Sequence, residues 1–188
     1  ADKRQDVKEI AEAIRVIRRY GIRVLASMIM GFDTDTKESL EATRRMLVRW
    51  RISQMCIFAL WGGYPHDGEL LIPPERMIFK DWGYCNGNFV CHFPLRMKPS
   101  TLQREIMKTY DAVLSPVQSL KDLLYGQYRR AKWRLYFWYA WRGTRRSILE
   151  YIPYLEELER DYYDENENLL LEKMKDRPDL DWVKYHLQ

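Results

Sequence analysis

The stretch Gly21-Ile-Arg-Val-Leu-Ala-Ser-Met-Ile-Met-Gly-Phe-Asp-Thr-Asp-Thr36 decides how the chain folds. Ahead of it, residues 3–20 place Val7, Ile10, Ile14 and Ile17 on one helical face, with Ala11 beside them. Gly21 then stands where a C-terminal cap belongs, after Arg18 and Arg19 in the last turn. Ile22 to Met30 is a near-continuous apolar run. That pattern predicts a strand covered on both faces, hence a parallel one. Gly31 ends the strand, and Asp-Thr-Asp-Thr opens the next helix. In α/β folds the turn after a strand's C-terminal end is where ligands bind, so Gly31 to Asp35 is expected at the edge of any site.

Working outward, Lys37 to Arg49 predicts a second helix, with Asp35 and Glu38 in capping-box positions. Ile52 to Trp61 predicts a second strand, ended by the breaker cluster Gly62-Gly63-Tyr64-Pro65. The order α-β-α-β implies a parallel pair joined by a helical crossover. Two strands do not make a complete barrel. Residues 66–98 are irregular, with a helical turn at Pro73-Pro74, turn chemistry at 81–88 and an extended piece from Phe89 to Pro94. A helix starts at Pro99-Ser100, with Leu102, Ile106, Tyr110, Val113 and Val117 on its buried face, and Ser115-Pro116 kinks or breaks it. Beyond Ser119 the chain reads as all helical, with a short helix at Leu169 to Lys175 and a loose end near Pro178.

The 188 residues suffice for one cored domain with a helical appendage, and 46% hydrophobic content excludes a disordered tail. A formal charge of +4 does not by itself imply a nucleic-acid partner. No apolar run reaches the ~18 residues a membrane span needs. The chain opens on charged residues and on Ala, as expected of a processed chain or a piece of a longer one. Cys56, Cys85 and Cys91 are odd in number and lack short paired spacing, which points to a reducing, cytoplasmic compartment and away from a metal site.

Residues 128–146 hold seven Lys/Arg, seven aromatics and no acid, while 150–167 hold eight acids and one Arg. Three readings are open. The basic stretch could stack bases and neutralise phosphates, lie at a membrane surface, or pair as one arm of an antiparallel helical hairpin with the acidic arm, turning at Gly143-Thr144. The hairpin is favoured because the complementary acids follow at once. Asp33 and Asp35 read as helix-capping groups in preference to a general acid/base pair, since no histidine or metal-ligand set stands nearby in sequence. His66, His92 and His186 read as surface or packing residues. Cys56, inside a strand, is expected to be a buried thiol, whereas Cys85 and Cys91 lie in loop-like sequence within reach of a substrate.

Together these segments resemble a family. Gly21-Ile22 followed by Ser27-Met-Ile-Met-Gly-Phe-Asp-Thr-Asp-Thr36 is similar to the fifth-strand region of radical S-adenosylmethionine (SAM) enzymes, in the branch associated with a cobalamin-binding domain. That branch includes anaerobic Mg-protoporphyrin ester cyclases and C-methylases. Arg76-Met-Ile78, Asp81-Trp82, Tyr84, Phe89-Val90, Pro94 and Met97-Lys-Pro-Ser-Thr-Leu102 follow in the order of that branch, and the likeness covers about residues 5–125.

The resemblance implies a fold in two parts. Residues 1–98 would be the C-terminal βα units of a partial TIM-like barrel with its closing loop, and 99–188 a mostly helical C-terminal subdomain. It implies that Ser27, Ile29, Gly31 and Thr34 on the fifth strand, and Phe58, Ala59 and Leu60 at the end of the sixth, border the adenine of SAM. The family's Cys-x-x-x-Cys-x-x-Cys, which holds a [4Fe–4S] cluster, does not occur in these 188 residues. The implied partner is therefore an N-terminal half or companion subunit holding the cluster and any cobalamin, with a small-molecule substrate for radical methylation or cyclisation. Such a chain is expected to be inactive alone and to oligomerise, swap elements or stay bound to its partner. The competing expectation is a non-catalytic docking module whose basic aromatic helix binds an anionic surface or a protein.

Overall fold

The computed structural model describes residues 6–61, 72–78 and 86–176. Helix α1 (Val7–Arg19) starts on Asp6, whose carboxylate accepts from the Lys8 N–H. It ends where Gly21 was expected to end it. The Gly21 N–H reaches the Arg18 carbonyl at 3.0 Å and the Ile22 N–H reaches that of Ile17 at 3.3 Å, with Gly21 at φ +71°. A left-handed residue at this place is what lets both bonds form. Of the α1 face, Ile14 is buried while Val7 is exposed.

Strand β1 (Leu25–Met30) and strand β2 (Gln54–Ala59) pair in parallel, in register from Leu25 opposite Gln54 to Met30 opposite Ala59. Helix α2 (Lys37–Arg49) connects them. Its cap lies one residue beyond the expected pair: Thr36 Oγ1 accepts from Ser39 N–H while Ser39 Oγ accepts from Thr36 N–H. Asp35 is thereby released for a different bond, described below.

The expectation of a sheet covered on both faces fails on one side. Met30, Met55, Ile57 and Ala59 are buried beneath the helices. Leu25, Ser27, Ile29 and Phe58, on the opposite face, are exposed. Cys56 belongs to that open face and is half-buried, not the buried thiol expected of it. A parallel sheet normally buries both faces, so these apolar residues are an unmet demand of this architecture. The two edges also differ. At β2 the outer edge is closed: Ile57 N–H donates to the Tyr110 hydroxyl at 2.7 Å and Ala59 N–H to the Gly87 carbonyl at 2.7 Å. Among the described residues, no strand pairs with the outer edge of β1.

A 3-10 turn at Pro74–Arg76 leads into a short antiparallel contact with the 91–93 segment, where Ile78 N–H meets the Cys91 carbonyl and Phe93 N–H meets that of Arg76, both at 2.7 Å. Helix α3 (Pro99–Val113) buries Leu102, Ile106, Tyr110 and Val113. The chain breaks before Pro116, as expected, and α4 (Pro116–Leu124) leaves Val117 exposed instead of extending the buried face.

The hairpin expected at Gly143-Thr144 is replaced by one continuous helix, α5 (Tyr128–Glu159, 32 residues), which passes through Gly143 and Pro153. A helical glycine costs about 1 kcal/mol relative to Ala, too little to break a helix that buries Trp141, Ile148, Tyr151, Ile152 and Leu155. Pro153 lies on its exposed side, where solvent can take the carbonyl that the missing N–H leaves. The counter-charges also come from elsewhere. Arg145 pairs with Asp111 of α3, and Arg130 and Arg134 pair with Asp122 of α4. On the acidic half, Glu159 accepts from Ser100 N–H at 3.0 Å and so caps α3, and Glu156 pairs with Arg104. The Leu169–Lys175 helix is a 3-10 turn, Leu171–Met174, anchored by buried Met174.

The buried apolar side chains form one cluster from Ile14 to Met174, continuous across residues 98 and 99. The architecture is thus mixed α/β, a small parallel pair backed by several helices. The expectations for Gly62 to His66, Asp81 to Cys85, Pro178 and His186 fall outside the described residues.

Candidate functional site

The C-terminal end of the parallel pair is held by bonds that no local pattern announces. Asp35 accepts from the Gly31 N–H at 2.8 Å and the Phe32 N–H at 3.0 Å, while its own N–H returns to the Phe32 carbonyl at 2.8 Å. The Asp-Thr-Asp segment is therefore a closed turn before the helix rather than its cap. Asp33 does not cap a helix either. It forms a two-pronged ion pair with Arg76, a residue only 5% exposed whose guanidinium also donates to the Phe93 carbonyl at 2.9 Å. This pairing holds the Asp33 carboxyl below its ordinary range. An ionised, paired Asp33 serves poorly as a proton donor.

His92 is fully buried, with Nε2 2.9 Å from the Gly31 carbonyl oxygen. Burial pushes its pKa down to about 4, so the ring is neutral and Nε2–H donates to Gly31. Gly31 itself stands at φ +108°, and a Cβ there would lie 2.8 Å from Leu102 Cδ2 and 3.0 Å from His92 Cε1. The glycine is required by this chain's own packing. Cys91 is also fully buried, with Sγ 3.3 Å from the Phe89 carbonyl, which removes it from contact with a substrate.

The seven residues expected to border a cofactor do not share one surface. Ser27, Ile29 and Phe58 share the open face, and Ile29 pairs in register with Phe58. Ile29 is 51% and Phe58 42% exposed, a ready apolar surface for a planar ring. Thr34 is exposed at the turn beyond the strand. Gly31 and Ala59 are buried toward the helices, and the half-buried Leu60 continues the ladder by donating to the Met30 carbonyl at 2.7 Å. Cys56, opposite Ser27, joins the open face. Arg76 and His92 are the residues that sequence reading left without a role at this end. They lie 43 and 61 residues from Asp33 and Gly31, and no local signal links them.

At this point the chain can be set beside known proteins. It is similar to the anaerobic magnesium-protoporphyrin IX monomethyl ester cyclase of Cereibacter sphaeroides. The two are 33% identical over 154 residues, 79% of this chain. The chain spans 22% of the length of that curated relative. No family model matches the chain, and no solved structure matches it significantly. The likeness to the cyclase and the open strand face are independent observations, one from identity and one from geometry. Among the described residues, no three of His, Cys, Asp and Glu converge as ligands for a metal ion, and no helix is long and apolar enough to cross a membrane.

Proposed function

We propose that this chain is the C-terminal part of a radical SAM enzyme of the cobalamin-associated branch, contributing the last two strands of a partial barrel and the adenine side of the SAM pocket. The observation that carries the reading is the asymmetry of the parallel pair. Its β2 edge is closed by Tyr110 and Gly87, its β1 edge is unpaired among the described residues, and one face is apolar and open. A pair of strands ending a larger sheet has this form, because further strands add on one side only and then cover the exposed face. The identity to the cyclase of Cereibacter sphaeroides supports the same reading.

In this proposal Ile29 and Phe58 provide the apolar wall against which the purine lies, with Ser27 able to hydrogen-bond at its margin. The Asp35 and Arg76 bonds hold the strand end rigid, so the wall needs no rearrangement to accept a ligand. SAM supplies the radical chemistry when bound beside a [4Fe–4S] cluster. The described residues fit the adenine side of SAM and offer no cluster ligands, so the cluster, any cobalamin and the small-molecule substrate contacts are assigned to the companion N-terminal portion.

The test is SAM binding by the chain assembled with the polypeptide that carries the cluster cysteines, measured by equilibrium dialysis. Ile29→Asp and Phe58→Asp are each expected to weaken SAM binding by about tenfold or more through lost apolar contact and a desolvated charge. Their melting temperatures should stay near that of the parent. Unchanged SAM affinity in both variants would overturn the assignment of this wall.

A further inference from the structure

The opposite pole of the sheet carries a second concentration of chemistry, unconnected with the reading above. A cleft of about 580 Å³ opens between the end of α1, the link from Gly21 to Val24, Ser53 and the start of α5. Arg18, Arg23, Arg129 and Arg130 line it, and among the described residues no acid does. An adjoining cleft of about 390 Å³ shares Arg18 and Arg130 and adds Arg19 and Arg49, again with no acid on its walls among the described residues. We propose that this arginine cleft binds an anion carrying two or more neighbouring phosphate groups.

The charge balance is lopsided. Asp122 is the buried carboxylate behind the cleft, and it is already shared between Arg130 at 2.9 Å and Arg134 at 3.0 Å. Among the described residues, Arg19, Arg23, Arg49 and Arg129 have no carboxylate within ion-pair distance. Arg18 is the sharpest case. A guanidinium has five N–H donors, and the half-buried Arg18 places one of them, at 2.5 Å, on the Arg51 carbonyl. Burial, followed by the neighbouring Arg130, lowers its pKa to about 10, a cationic group held short of compensation. Several guanidiniums crowded this way repel one another unless an anion comes between them.

The start of α5 adds to the same field. Its first turn has no acidic residue, and Gln127 provides no side-chain cap, so the N-terminus of a 32-residue helix opens at the cleft wall. Helix N-termini and forked guanidiniums both favour phosphate oxygens. Arg23 lies over the Trp133 ring at 4.5 Å, which fixes one wall. The cations gather around one helix end instead of along a strip. That geometry suits charge concentrated on adjacent phosphates better than charge spread along a peptide. The phosphates have two possible sources, a soluble polyphosphate or a lipid headgroup, because exposed Leu124 of α4 lines a cleft with Arg49, and Val117 and Leu120 of the same helix are exposed as well, apolar side chains able to enter a bilayer surface.

Calorimetric titration of the 188-residue chain at near-physiological salt, with inorganic tripolyphosphate and with citrate as a charge-matched anion, tests the site. Tripolyphosphate is expected to bind one to one and about tenfold or more tighter than citrate. Arg19→Glu combined with Arg129→Glu, both exposed positions, should weaken it by about tenfold or more, while Arg146→Glu near the middle of α5 stays within about twofold. Vesicles containing a bisphosphorylated phosphoinositide form a second arm. Binding to those vesicles and not to free tripolyphosphate assigns the phosphates to lipid, and the reverse assigns them to a soluble ligand. Equal affinity for citrate and tripolyphosphate, equal losses in the cleft and Arg146 variants, or no binding in either arm would overturn the proposal. Melting curves of each variant separate lost binding from lost folding.

Discussion

The two faces of the parallel pair are built from similar residues and have opposite fates. Toward the helices, Met30, Met55, Ile57 and Ala59 are sealed, with α3 and α5 packed against β2. Away from them, Leu25, Ile29 and Phe58 meet solvent. The difference teaches that hydrophobicity in a strand states a demand for cover without naming what supplies it. One face is satisfied by this chain and stabilises its fold. The other contributes little to that fold and is available for something else.

The most direct way to break the comparison is to shorten one residue on each face. Ile57→Ala should cost about 4 kcal/mol through lost burial and a cavity, read as a fall in the urea midpoint. Ile29→Ala should cost well under about 1 kcal/mol, since much of its surface is already wet. Equal costs would mean that the open face is covered in the isolated chain, by a second copy or by a swapped element.

A pH titration sharpens the boundary between the faces, where His92 holds the Gly31 carbonyl. Its pKa is lowered to about 4 in the folded chain, against an ordinary value near 6.5 in the unfolded one. A group with a depressed folded pKa contributes stability that is fully present above the unfolded value and is lost as pH falls toward the folded one. The window is therefore pH 6.5 down to 4, and the loss is roughly 3 kcal/mol at 1.36 kcal/mol per unit. Denaturant midpoints at the two ends of that window should differ more for the parent than for His92→Gln, which removes this titration while the carboxylates continue to titrate. An equal pH response in both proteins would place His92 in contact with water.

Gly31→Ala probes the same boundary sterically. The new Cβ meets Leu102 and His92 and occupies φ +108°, so the expected loss is about 2 kcal/mol. Adding Leu102→Ala should relieve the collision and leave the backbone strain, giving a double variant less destabilised than the sum of the two singles. Additive losses would show that the collision is not the cause. The smallest effect belongs to the helix behind the covered face. Gly143→Ala should raise stability by about 1 kcal/mol if α5 is continuous, since the site is helical with open space around it. A loss there would restore the turn that the charge pattern suggested.

Local signals were read correctly at three element ends. The α1 stop at Gly21, the limits of α2 and the break before Pro116 each rest on partners a few residues apart. Periodicity also placed both strands and most of the buried face of α3. It misjudged the partner of Asp35 by one capping position, because Thr36 competes for the same role with a better-placed hydroxyl. The charge pattern of 128–167 failed for a different reason. Opposite charges adjacent in sequence suggested a hairpin, whereas α4 supplies Asp122, 8 and 12 residues from its partners Arg130 and Arg134, and α3 supplies Asp111 and Arg104, 34 and 52 residues from Arg145 and Glu156.

The sequence alone settles the run from Gly21 to Thr36 as helix end, strand, glycine and polar turn, because each of those steps is written in backbone chemistry over a few residues; the bonds by which Asp35 closes the turn come from the structure. The resemblance carried by that run agrees with the similarity to the Cereibacter sphaeroides cyclase. Only the tertiary structure decided which side of the strand is covered. It put Gly31 against Leu102 and His92, turned Ile29 and Phe58 outward, closed the β2 edge with Tyr110 and gathered the arginines at the other pole. Those outcomes depend on contacts between residues tens of positions apart, where loop closure and packing, not local preference, set which partner is met.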